Sequence, residues 1–539
     1  MTELNTADSS DTLVRWLIAC PLSATPSGRR RPIDGEALAE LLAEVGSSVT
    51  RDLGPALGAA AALATTHTFA RLSDFTLKRV IADAPALARL RALAERLGAS
   101  RSRRPEPTAA LAELAAIVGV GPLHADVARC LDATPPADAA QVEGSLVDEL
   151  LARGTAEGRA IDAFVTATRD GAKPGKGEAG AARAARDRIE AAVVSAARQL
   201  LDDASVVRHE ALWRGLKLLL ARARAAEIRV ELIDVDAAGL LDAIERELER
   251  DDVDRPDAIF VVDPPEELAT IAALAAAAER LLVPVVTALD PALLGASEPR
   301  ALAEALTGGV PSAWASLRGD VSSRWLTACI NPVVLAVDGR ADAGRVVYGS
   351  PALAVATMLS DGYARSRGFA EALRADRGLQ LPATRLLARD DDAAISVPTE
   401  HFVPRALAER LAEHGLLALH SRRNSDTALA TGAPTVSAAS DRVPLPAQLV
   451  TGRVVRFSLW ASAQVPPGAS PREVTELFVG AASVFLFPGV GEDAYRYNAA
   501  LIEADGGSAV RVKVAVHPRL SGVLLELEFD LPLPTEGAI

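Results

Sequence analysis

The stretch that decides the fold runs from Ile228 to Asp290: IRVELIDV (228–235), then DAAGLLDAIERELERDDVDRPD (236–257), AIFVVD (258–263), PPEELATIAALAAAAERL (264–281) and LVPVVTALD (282–290). Three short runs rich in Val and Ile alternate with two segments whose apolar residues recur at helical spacing. The spacing predicts strands at IRVELIDV, AIFVVD and VPVVTALD, and helices over Leu240–Leu248 and Glu266–Leu282. A β-α-β-α-β order argues for a mostly parallel sheet covered by helices. ALAEAL (301–306) continues the series as a helix.

Outward from this centre the alternation persists. VRWLIACPL (14–22) has the apolar run of a buried strand. Asp34 is placed to cap a helix carrying Leu38, Leu41, Leu42 and Val45. Thr65–Phe69 forms a short strand, and Ser73 and Asp74 stand as caps for helical residues from Val80 to Leu97. Leu111–Leu131 is helical in pattern, broken at Gly119–Pro122. Thr134–Asp138 (TPPAD) marks a boundary. GAKPGKGEAG (171–180) has linker composition. Ala181–Ala226 predicts one long helix or two stacked ones. The chain closes on AVRVKVAVHP and GVLLELEFDLPL, whose alternation predicts a half-buried antiparallel pair.

Composition bounds the function. The 539 residues suggest several domain-sized units. Basic side chains number 57 and acidic ones 71, a net charge of −14. That balance disfavours nucleic acid as a partner, and the 4% aromatic content disfavours a base-stacking surface. Cys20, Cys130 and Cys329 stand apart, which suggests neither a disulfide framework nor zinc. No secretory leader and no membrane span is visible, so a cytoplasmic protein without membrane insertion is expected.

Catalytic patterns are missing. No two of the seven histidines share the spacing of a helical metal pair. His209-Glu210 begins like HExxH, but the fifth residue is Trp213. Lys173–Gly177 lacks the phosphate-loop spacing, and there is no GxSxG. Asp263 and Asp290 follow strands, where a doubly wound enzyme keeps its polar groups. Each precedes a proline, which equally suits a cap or turn. No enzyme activity, cofactor or metal is expected.

Several segments resemble the contractile sheath of bacterial type VI secretion systems. That sheath is normally two chains, and this one resembles a fusion of the small and large subunits. WLIACPLSATPSGRRRPIDGEALAELLAEV (16–45) and HTFARLSDFTLKRVIADAPALARLRALAERL (67–97) are similar to the small subunit, the latter through Leu72, Asp74 and Phe75. EALWRGLKLLL (210–220) resembles the large-subunit signature through Glu210, Trp213, Arg214 and Gly215. Further similarities follow in family order at 281–295, 398–429 and 515–533. Two family segments are altered: the stretch ahead of the Trp-Arg-Gly signature is Asp203–Val207, and INPVVLAVDG (330–339) replaces another.

The resemblance implies a mixed α/β fold, with a small N-terminal α/β part and a larger part of mixed sheets flanked by helices. It implies a small-subunit-like domain at 1–135, a linker and short helix at 136–180, and a large-subunit-like domain at 181–539. It also implies a structural subunit that assembles with copies of itself helically around an inner tube, in contact with baseplate proteins, by exchange of strands. Val510, Val512, Val514, Val516, Leu524 and Leu527 are then interface candidates, and an internal hairpin is the alternative for the same strands. In the family a hexameric AAA+ unfoldase grips a helix near the large subunit's N-terminus. Leu146, Val147, Leu150 and Leu151 would be its anchors, or would pack on their own domain. A non-polymerising baseplate, cap or adaptor component is the competing role.

Overall fold

The computed structural model describes residues 14–132 except 24, and 178–533 except 253, 339–343, 372–373, 375–376, 388–393, 440–442 and 505–506. Leu146, Val147, Leu150 and Leu151, Lys173–Gly177 and most of the expected linker lie outside them. The chain forms two compact units, residues 1–41 with 211–539, and residues 42–210. These units are drawn by packing and differ from the sequence-expected boundaries at 135 and 180.

The chain enters on β1 (Arg15–Cys20), β2 (Arg30–Ile33) and α1 (Ala37–Val45). Asp34 begins α1 as expected, accepting from the Glu36 and Ala37 amides at 2.9 and 2.8 Å. The unit formed by residues 42–210 then holds β3 (Ser47–Asp52), α2 (Gly54–Leu57), β4 (Ala64–Phe69), α3 (Leu77–Asp83), α4 (Pro85–Leu97), α5 (Pro107–Val118), α6 (Pro122–Asp132) and α7 (Glu178–Leu201). Its axis is α7, which packs against α2, α3, α4 and α6. Ala182, Ala185, Ile189, Val193, Ala196 and Leu200 recur every three or four residues along α7 and are buried, the stripe a core helix needs. β3 pairs antiparallel with β4. β3, SSVTRD, was not foreseen, because its outward face is polar and only Val49 is buried.

After α8 (Ala204–Ala226) the larger unit continues with β5 (Arg229–Asp234), α9 (Leu240–Glu245), β6 (Ala258–Val261), α10 (Leu268–Leu281), β7 (Val285–Ala288), α11 (Pro299–Gly308), α12 (Ser312–Gly319) and β8 (Leu326–Ile330). Of the two readings of 181–226, one long helix or two, the structure has two, α7 and α8. A hairpin of β9 (Val333–Asp338) and β10 (Arg345–Gly349) leads to α13 (Pro351–Ser366). Short strands follow at β11 (Gly378–Gln380), β12 (Arg385–Leu387) and β13 (Ile395–Val397), then α14 (Arg405–Glu413), β14 (Leu416–Ala418), β15 (His420–Ser421) and β16 (Thr427–Leu429).

The central sheet has seven strands in the order β14-β8-β7-β6-β1-β5-β2. All are parallel except β2, which runs antiparallel to β5 at the edge. The expected parallel sheet is therefore present, within a mixed α/β fold. β1, β6, β7 and β8 are buried along their whole length, as a sheet covered on both faces requires. β1 pairs with both β5 and β6. The N-terminal strand, 214 residues or more from its pairing partners by number, stands inside this sheet rather than in a sheet of its own. Trp16 anchors it: its indole N–H donates to Ser360 Oγ of α13 at 3.0 Å, and its ring meets Phe260 edge-on.

The chain ends in α15 (Leu445–Ala463), α16 (Pro471–Phe485), β17 (Tyr495–Ala504), β18 (Gly507–Val516), α17 (Pro518–Ser521) and β19 (Leu525–Pro532). The last three strands form a separate antiparallel sheet, β17-β18-β19.

Candidate assembly interface

In a doubly wound sheet a ligand sits where the strand order reverses, at the strands' carboxyl ends. Here that point lies beside β1 and is filled by the chain itself. Buried Asp234, ending β5, accepts from Leu22 N–H, Ser27 N–H and Ser27 Oγ at 2.8–2.9 Å, folding the loop after β1 back onto the sheet. Ser350, ahead of α13, donates to the Val262 carbonyl after β6. Asp290 caps a short turn, accepting from Ala292 N–H at 2.9 Å. Among the described residues no group of three or more His, Cys, Asp or Glu is placed to hold a metal. No described helix is long and apolar enough to cross a membrane. A pocket lined by Tyr363, Arg367, Phe369, Arg453 and Phe487 has both arginines engaged, by Glu227 and Asp257 respectively.

The signature residues are packing residues. Asp74 accepts from the Ala70 and Arg71 amides and so closes a turn, while Thr76 caps α3. Phe75 stacks on Phe69 with centroids 4.7 Å apart, and Leu72 is half-buried beside it. Glu210 and Trp213 are buried and Arg214 is half-buried. A side chain at Gly215 would stand 2.9 Å from Leu353 Cδ1, so glycine lets α8 approach α13.

The terminal sheet is different, because it has an edge. β18 lies centrally, with Val510, Val512, Val514 and Val516 all buried. Val512 is flanked by Ala499 and Phe529, and Val514 by Tyr497 and Leu527. Helix α16 packs on β17 and α15 on β19. Tyr497 reaches Ser458 of α15 at 2.7 Å, and burial pushes its phenol pKa up. Side chains committed to this core are not free to meet a neighbour. Of the other expected interface residues, Leu527 is half-buried on the same face, and Leu524 is exposed in the turn before β19. That turn begins at His517, whose Nδ1 accepts from the Arg519 amide and starts α17.

The opposite face is charged. Arg511 makes two 2.8 Å bonds to Asp530, and Lys513 pairs with Glu528 at 2.9 Å. Glu526 stands across from Ala515. The ladder fixes where the backbone points. Leu533 N–H donates to Ser508 O. By alternation, Leu525, Leu527, Phe529 and Leu531 bond to β18, while Glu526, Glu528 and Asp530 turn N–H and C=O outward. Pro532, which has no N–H, occupies the next outward position, where proline is tolerated. On the far side the Ala499 carbonyl points away from β18. There α16 meets it through Thr475 Oγ1 at 2.9 Å, in a hydrogen bond shared with Pro471 O at 3.0 Å. One edge is thus met by a helix. The other, β19, pairs with no further strand among the described residues. The sequence signal for this edge was the alternation LELEFD, in which the acids, rather than the leucines, mark the outward backbone.

No protein-family model matches the chain, and no curated protein matches it. Among solved structures, it is similar to the helical sheath of the anti-feeding prophage in its contracted state, at 13% identity over 59% of this chain and 80% of that one, with a TM-score of 0.31. A chain of the anti-feeding prophage baseplate gives 13% identity over 60% and 78%, with a TM-score of 0.32. A sheath tail protein from Listeria innocua gives 9% identity over 57% and 62%, with a TM-score of 0.32. Likeness at this level is partial and does not establish a common fold.

Proposed function

We propose that the chain is a structural subunit of a contractile, phage-tail-like sheath, with small-subunit-like and large-subunit-like parts joined in one polypeptide. It would assemble helically around an inner tube, in the manner of type VI secretion. The carrying observation is the open β19 edge of a sheet whose other edge is met by α16. Open-ended assembly needs head-to-tail contacts that do not close. Strand addition supplies one through backbone hydrogen bonds, without any active site. The family-ordered motifs from 16 to 533 support the same role. The strand-order reversal, where Asp234 holds the loop after β1 onto the sheet, is in keeping with it.

The altered segments at Asp203–Val207 and 330–339 favour a second role, a sheath-like baseplate, cap or adaptor component that does not polymerise. Negative-stain electron microscopy of the purified chain at rising concentration separates the two. Hollow tubes or stacked rings support the sheath subunit. A monodisperse monomer at every concentration contradicts it and leaves the adaptor.

A further inference from the structure

We propose that the pocket beside Arg453 is a site for one small monovalent anion of halide size. It lies between Tyr363, Arg367 and Phe369 at the end of α13 and Val450 and Arg453 of α15. Among the described residues its lining holds two arginines and no carboxylate. Its space is about 20 Å³, room for one water-sized occupant.

The charge beside the pocket calls for an anion. Arg453 and Arg456 share one carboxylate: Arg453 Nη1 donates to Asp257 Oδ2 at 2.7 Å, and Arg456 Nη2 to Oδ1 at 2.9 Å. The two arginine side chains are 10% and 4% exposed, so one buried positive charge is left over. The neighbouring ion pairs do not cancel it. Arg15 and Arg255 each hold an acid of their own, Asp254 and Asp252, and Arg367 holds Glu227. A buried charge without a counter-charge is unfavourable, and a monovalent anion in the adjoining pocket supplies one. A divalent anion would overshoot a single excess charge.

The donors are also at hand. Arg456 is spent, because its Nε, Nη1 and Nη2 donate to the Gly452 carbonyl, the Arg255 carbonyl and Asp257. Arg453 is not. A guanidinium carries five N–H groups. Among the described residues, those of Arg453 meet only Asp257 and the Phe485 carbonyl, and its Nε–H meets no acceptor. Arg453 lines the pocket, so an occupant there meets these unused donors. Hydrogen bonds from an ionised donor to an anion are the strong ones. Tyr363 and Phe369 are buried, and their low-dielectric wall strengthens the attraction. An occupied site links the end of α13 to α15.

The test is thermal unfolding of the full chain in sodium chloride and in sodium gluconate at one ionic strength, with chlorine NMR linewidths measured alongside. Gluconate is too large for the pocket. Chloride at tenfold excess over its Kd is expected to raise the melting temperature by about 1 °C relative to gluconate. The protein should broaden the chloride line, and added bromide should sharpen it again by competition. Val450→Met fills the pocket and touches no charge. Arg453→Gln leaves Arg456 and Asp257 as a balanced pair, and it serves if the methionine variant does not fold. Either substitution should remove both the chloride advantage and the broadening. Equal melting in the two salts, or a chloride advantage and broadening that persist in the folded variants, overturns the proposal.

Discussion

Thr475 Oγ1 lies 2.9 Å from the Ala499 carbonyl oxygen, and this contact places helix α16 against the outer edge of β17. An uncovered edge is a template for unwanted pairing. Thr475→Val keeps the shape and removes the donor. It should lower the unfolding free energy in urea by about 1 kcal/mol and raise the rate of aggregation on mild heating. Unchanged stability and aggregation would mean that α16 does not protect this edge.

Asp257 is the hub of a buried ion cluster. It accepts from Arg15 N–H at 2.9 Å, Arg453 at 2.7 Å and Arg456 at 2.9 Å, so it ties β1 to α15. Burial holds the Arg456 guanidinium pKa down while the carboxylate opposes that shift. Asp257→Asn strands two arginines in a buried site and should cost about 3–5 kcal/mol. The exposed Arg472–Glu476 pair should show no measurable loss of stability on Glu476→Gln, because solvent screens it. Equal losses would show that the cluster is not an organising contact.

Two helix glycines should respond with opposite sign. A Cβ at Gly452 in α15 would collide with the Leu282 carbonyl oxygen, whereas nothing lies within 4 Å of one at Gly480 in α16. Gly452→Ala is therefore expected to destabilise by about 1–3 kcal/mol. Gly480→Ala should stabilise by up to about 1 kcal/mol through helix propensity. Thermal melts of both variants check this, and a shift of the same sign in both would contradict the packing described for α15.

His420 is buried, with Nε2 2.7 Å from Thr431 Oγ1, and its pKa is lowered first by burial and then by Arg405. A histidine held neutral in the fold adds nothing above the unfolded value near 6.5. As pH falls below that value the unfolded chain takes the proton first, and stability drops. Between about pH 7.5 and 5.5 the wild type should lose more stability than His420→Gln. Parallel pH profiles for the two proteins would show that His420 is solvated or charged in the fold.

The parallel sheet was legible because β5, β6 and β7 are short, β-branched and separated by helical periodicity. The terminal pair was legible because valine alternates with charge in β18. β17 was not, since YRYNAALIEA has no clean alternation and takes its face from Tyr497, Ser458 and α16. The position of β1 was also out of reach. An apolar hexamer names no partner, and its neighbours lie beyond residue 228. The interface candidates show the same limit. Alternation located the strands, but only the hydrogen-bond phase shows that the valines turn inward while the acid-bearing residues present the free backbone.

The most direct test of the open edge is residue-resolved hydrogen exchange over 525–531, in dilute solution and in the assembled state. The account predicts fast exchange at the Glu526, Glu528 and Asp530 amides and slow exchange at Leu527, Phe529 and Leu531 in the dilute protein. On assembly the three fast amides should become protected. Uniform protection of all six in the dilute chain, or fast amides that stay fast once assembled, would contradict β19 as the place where the next strand joins.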